Sequence, residues 1–224
     1  MSGFSTKLKT GEYREVLFWL LLLGSWQFLA SPGNKNGIVG ATGTAAFLVF
    51  AWNSLDRLTN LGLDYVRWRA ATGANWLYAV SGGILAGAAV FAIGSVSRQG
   101  IGLSNDWHLV VLQVTLGPVL EEVVFRGYLL TLLTLSFRRL RCDGSRNRLV
   151  VAAAAVAFAL VHLSQPGVGW LQLACIASTG TLYGWLRCRS GSVAPAAASH
   201  AVYNLTLYGV AGIVAAFYDA SSAL

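Results

Sequence analysis

Charge is the scarcest commodity in this chain. Asp, Glu, Lys and Arg make up only 11% of its 224 residues and 55% are hydrophobic, whereas a soluble domain carries roughly 25% charge. A polytopic membrane protein is the expected class. Cysteine is sparse too: Cys142, Cys175 and Cys188 form no CxxC pair and no metal-ligand spacing. That excludes a disulfide framework and is consistent with a reducing, cytoplasmic side for Cys142 and Cys188, which lie in arginine-rich loops. The chain has no Walker loop, no dinucleotide fingerprint, no internal repeat and no low-complexity tract, so one membrane domain spanning 1–224 is the economical reading.

What is present fits that class. Eight Trp, eight Tyr and ten Phe suit rings that settle at headgroup depth and fill gaps between helices. The net charge of +7 does not indicate nucleic acid, because the basic residues sit in loops between apolar runs instead of clustering on a polar face. Those runs are Val16 to Ala30, Ile38 to Leu55, Trp76 to Val96, Trp107 to Phe137, Leu149 to Leu163, Trp170 to Leu186 and Ala194 to Phe217. The first reads as a retained anchor, since Leu29-Ala30-Ser31 lacks the small residue a signal cleavage site needs.

Thirteen of the sixteen Lys and Arg fall in alternate loops, only Lys35 and Arg98 fall in the others, and Arg126 lies inside a run. The positive-inside rule then predicts an all-α bundle of about seven transmembrane helices with a cytoplasmic N-terminus. The connection Asp56 to Gly73 alternates Leu, Tyr and Trp with Arg and Asp, as an interfacial amphipathic helix would. Gly83 with Gly87, and Gly180 with Gly184, have the GxxxG spacing that lets helices approach closely.

Against this background the stretch GPVLEEVVFRGYLL is anomalous. A charge in a membrane-length segment costs about 2.5 to 3.5 kcal/mol on insertion scales, so Glu121, Glu122 and Arg126 mark a site. Pro118 should break the helix, and if it opens a second segment both glutamates fall in that segment's first turns, near the positive dipole end. Glu122 and Arg126 are spaced i, i+4 and can pair. Glu121 is rotated by about 100° and is left available for chemistry.

Other polar residues interrupt later runs: His162 with Phe158 one turn before it in FALVHLS, and His200 with Asn204 in SHAVYNL. At about 1.5 Å per residue from the cytoplasmic ends, Glu121, His162 and Asn204 lie roughly 24, 20 and 15 Å deep, close enough to share a cavity. A carboxylate and an imidazole can take a proton from water and return it to a leaving amine, and a His and an Asn can donate to a developing oxyanion. Together they describe amide hydrolysis inside a membrane.

The three motifs, EExxxR at Glu121 to Arg126, FxxxH at Phe158 to His162 and HxxxN at His200 to Asn204, resemble in order those of the CAAX protease and bacteriocin-processing family. The likeness spans Trp107 to Asn204, within a motif-bearing core of 107–217. It implies an intramembrane endopeptidase acting on membrane-associated peptides or proteins. By the same resemblance Glu121 and His162 activate water, and His200 and Asn204 stabilise the oxyanion. Glu122, Arg126 and Phe158 support them. It also implies a multi-pass protein of the cell membrane, if the source is bacterial.

No cofactor is expected. The alternative is zinc held by Glu121, His162 and His200, a donor set with an open position, although HExxH is absent. A sortase-like transfer of the acyl group to another amine would use the same site. A non-enzymatic membrane partner, immunity protein or scaffold, or a proton carrier, forms the competing class.

Overall fold

Between Pro118 and the residues before it, the chain has to solve a backbone problem. A proline at 118 offers no N–H to the carbonyl of Val114 and its ring crowds that carbonyl. In the computed structural model the helix accordingly stops at Val114. Thr115 turns the chain, its N–H and Oγ1 both donating to the Val111 carbonyl at 3.0 and 2.6 Å. A new helix starts at Leu116. The break, at Thr115, thus falls two residues before Gly117-Pro118, and Pro118 is the third residue of the new segment, where its missing N–H is one of the four unused at any helix start.

The structure describes Trp68, residues 71–97, Leu103, and residues 107–131, 133–134, 146–164 and 168–222. All lie in the unit Leu61–Leu224. The described elements are α1 Gly73–Ser97, α2 Trp107–Val114, α3 Leu116–Glu122, a π-helix Val123–Leu129, α4 Arg146–Leu160, a 3₁₀ turn Val161–Ser164, α5 Trp170–Ser190 and α6 Ala194–Ser222, with no strand among the described residues. The expected spans Val16 to Ala30 and Ile38 to Leu55, nearly all of the connection Asp56 to Gly73, and Cys142 lie outside the described residues.

Two described helices, Gly73–Ser97 and Ala194–Tyr218, are long and apolar enough to cross a membrane. Leu85, Val96, Trp170 and Phe217 are exposed on the outer surface, as they can be when lipid is the solvent and every backbone group is satisfied inside its helix. The described part of the chain is all-helical, with the two long apolar helices expected of a membrane protein.

Small residues set the helix spacing. A Cβ on Gly83 would stand 2.5 Å from the Ser199 carbonyl oxygen, and one on Gly87 would stand 2.8 Å from Thr206 Cβ, so α1 and α6 touch backbone to backbone. Gly184 similarly admits Val151 of α4 against α5. We expect Gly83→Ala to force α1 away from α6 and to cost about 1 to 3 kcal/mol. Thermal unfolding in detergent would measure this, and an unchanged midpoint would contradict the close approach.

Helices α5 and α6 meet at a tight corner. Gly191 takes φ 68° and its N–H closes onto the Arg187 carbonyl at 3.0 Å, the left-handed C-terminal stop that glycine adopts without cost. Ser192 Oγ then accepts the N–H of Ala194 at 3.2 Å, satisfying an open donor of α6. The corner fixes where α6 starts, and therefore the height of His200 and Asn204.

Candidate active site

The two glutamates end α3, in its second turn. No acidic residue lies in its first turn, so the expected support from the positive dipole end is small here, because that effect fades within one turn. Glu122 is stabilised instead by hydrogen-bonding partners outside α3.

Arg126 is one of those partners. It sits in the π-helix, whose widened turn is marked by the Leu130 N–H reaching back to the Phe125 carbonyl. Its side chain is fully buried. Nη1 donates to Glu122 Oε1 at 3.0 Å and Nη2 to the Gly180 carbonyl at 2.9 Å. The guanidinium lies 4.4 Å from the centre of the Phe158 ring and 5.2 Å from that of Tyr183, a cation–π setting suited to a desolvated arginine. Gly180 makes this fit: a Cβ there would stand 3.1 Å from Arg126 Nη2 and 3.2 Å from Phe158 Cδ1.

The pair expected between Glu122 and Arg126 is therefore present, but Glu122 does more than brace its own helix. The same Oε1 accepts a second hydrogen bond from His200 Nδ1 at 3.0 Å. Because a carboxylate accepts, Nδ1 carries the proton, and in the neutral ring Nε2 carries the lone pair. Tyr183 stacks on the His200 ring, centroids 4.8 Å apart and planes 17° apart, while Phe158 meets its edge at 5.8 Å. Position and tautomer of His200 are both fixed.

His162 is set by the same logic. The 3₁₀ turn aims its Nδ1 at the Phe158 carbonyl, 2.7 Å away, so that Nδ1 donates and Nε2 again holds the lone pair. Phe158 packs edge-on to its ring at 4.9 Å. FxxxH thus works as a unit: the Phe158 carbonyl orients His162 while its ring backs His162, His200 and Arg126.

Glu121 differs from Glu122. It accepts no hydrogen bond among the described residues, and its carboxylate Oε2 lies 3.8 Å from His200 Nε2. That is too long for a direct hydrogen bond, so both groups keep hydrogen-bonding capacity for a water in the cavity that they line. Glu121, Phe158, His162, His200 and Asn204 all line one cavity of about 210 Å³, to which α1 to α6 and the 3₁₀ turn all contribute.

The Asn204 Nδ2 donates to the Gln113 carbonyl at 2.6 Å, and Tyr208 donates through its hydroxyl to Gln113 Oε1. Sequence reasoning passed over Gln113, Tyr183 and Tyr208. A signal existed for two of them: Gln113 is a polar residue in an apolar run, and Tyr208 follows Asn204 by four residues on the same face.

Among the described residues no three His, Cys, Asp or Glu groups converge closely enough to hold a metal ion. Residues 103–206 match the family model described as "Rce1-like: Type II CAAX prenyl endopeptidase Rce1-like". No curated protein and no solved structure matches the chain. The matched segment contains both glutamates, the arginine, both cavity histidines and the asparagine, and over residues 103–206 the chain is similar to the Rce1-like type II CAAX prenyl endopeptidases of the CAAX protease and bacteriocin-processing family.

Proposed function

We propose that the protein is an intramembrane endopeptidase that cleaves membrane-associated peptides or proteins with a water activated by Glu121. The observation that carries this reading is the meeting at one cavity of Glu121 from α3, His162 from the 3₁₀ turn, and His200 and Asn204 from α6. Glu121 takes a proton from the water, and the hydroxide adds to the scissile carbonyl carbon. Negative charge moves to the carbonyl oxygen, where an Asn204 N–H supplies a donor. As the tetrahedral centre collapses the C–N bond breaks. The proton reaches the departing amine from Glu121 or through His162, whose Nε2 can accept and release it.

The decisive experiment compares the termini of the membrane proteome in cells with the wild-type protein and with Glu121→Ala. New termini that require Glu121 support the reading and identify the substrate. An unchanged set, with the biological effect of the protein intact, would favour a scaffold.

Every step uses this chain's own side chains, and no metal is needed. Purified protein is expected to keep its full rate after exhaustive chelation. A loss of rate that added zinc restores would transfer Glu121, His162 and His200 to a ligand role.

The loop charges support seven spans with the N-terminus in the cytoplasm. A C-terminal reporter that functions only outside the cytoplasm should be active.

A further inference from the structure

Resting on that endopeptidase reading, we propose that Gln113 is a second oxyanion donor beside Asn204, and that Tyr208 is the positioning residue that presents it. The first ground is what His200 cannot do in its neutral form. Its Nδ1 proton is committed to Glu122 Oε1 at 3.0 Å, which leaves Nε2 as an acceptor, 3.8 Å from the Glu121 carboxylate. An oxyanion needs donors. His200 can be one only as an imidazolium, whereas a primary amide is one at every pH.

The second ground is the wiring of Gln113. Its residue lies in the last turn of α2, where helix carbonyls lack their usual partner. The Gln113 carbonyl accepts Asn204 Nδ2 at 2.6 Å. That bond identifies which end of the Asn204 amide is nitrogen and leaves it one further N–H. The Gln113 side-chain oxygen accepts the Tyr208 hydroxyl, so the amide's acceptor end is occupied and its remaining function is the Nε2 donor pair. No described residue takes up those donors. Gln113, Asn204 and Tyr208 all line the same cavity as Glu121 and His162. Two neutral amides from α2 and α6, each oriented by the other helix, thus flank the space that a scissile carbonyl would enter. Such preorganised donors are worth most where water is excluded.

The test uses the full-length protein in detergent or liposomes and a quenched-fluorescent peptide reproducing a membrane-protein terminus it cleaves. Gln113→Glu keeps the shape and the acceptor for Tyr208 but replaces the donor with a repelling oxygen. It should lower kcat about 10² to 10³-fold, as loss of an oxyanion donor does, with KM and the melting temperature little changed. Tyr208→Phe keeps the ring and frees the Gln113 amide, so it should give a smaller fall in kcat, again without a change in KM. A merely structural role would move melting temperature and KM together. If Gln113→Glu does not fold, Tyr208→Phe alone decides. Active wild-type protein with wild-type kcat in the folded variants would overturn this assignment and leave the endopeptidase reading standing. Wild-type protein that leaves the peptide intact would overturn both.

Discussion

Glu121→Gln is expected to reduce peptide-bond hydrolysis by about 10² to 10⁴-fold, the range for losing a general base, and to leave folding nearly untouched. The two halves have separate causes. Glu121 and Gln are almost the same size, and the Glu121 carboxylate accepts no hydrogen bond among the described residues, its nearest ionisable group being His200 Nε2 at 3.8 Å. No hydrogen bond among the described residues depends on its charge. The substitution does, however, remove the only carboxylate that lines the cavity among the described residues, and with it the group that takes a proton from water. Glu122→Gln provides the contrast. Glu122 Oε1 is held at 3.0 Å by both Arg126 and His200, so neutralising it weakens a buried charge pair and releases the ring that faces the cavity. We expect Glu122→Gln to lower the melting temperature and the rate together. Measuring both quantities on both variants would check the division of labour. A Glu121→Gln protein that melts like wild type and still hydrolyses at the wild-type rate would remove Glu121 from the mechanism.

Much of this was legible one helix at a time. The run Trp76 to Val96 became Gly73–Ser97, Trp170 to Leu186 became Trp170–Ser190, and Ala194 to Phe217 became Ala194–Ser222. The disruption at Pro118 was readable because proline acts on its own backbone neighbours. The i, i+4 pairs Glu122 with Arg126 and Phe158 with His162 were readable because helical spacing decides which side chains meet.

What stayed hidden joins different helices. The bond from His200 to Glu122 spans 78 residues and that from Asn204 to Gln113 spans 91. A periodic pattern reports the face of its own helix and is silent about which neighbour that face meets. The π-turn was hidden for a related reason. Val123, Val124, Phe125, Arg126, Gly127 and Tyr128 are all buried, and a segment enclosed on every side has no polar face from which its period could be read.

Arg126 offers the second large effect, and it separates fold from chemistry. Arg126→Leu should destabilise the protein by about 3 to 5 kcal/mol, the usual cost of leaving the other charge of a buried pair alone. The residue has no exposed surface, bonds Glu122 and the Gly180 carbonyl together, and fills the space between the Phe158 and Tyr183 rings. Arg126→Lys should rescue little, because an ammonium cannot bond both oxygens in a planar fork or lie flat on the rings. The double variant Glu122→Leu with Arg126→Leu removes both charges, and buried pairs replaced by apolar side chains are often no less stable. It should therefore melt above the Arg126→Leu single variant. Activity should not return with stability, since His200 Nδ1 has lost the carboxylate that held its tautomer. A double variant that regains both would show Glu122 to be a helix brace alone. One that regains stability and stays inactive would place Glu122 in the positioning of His200.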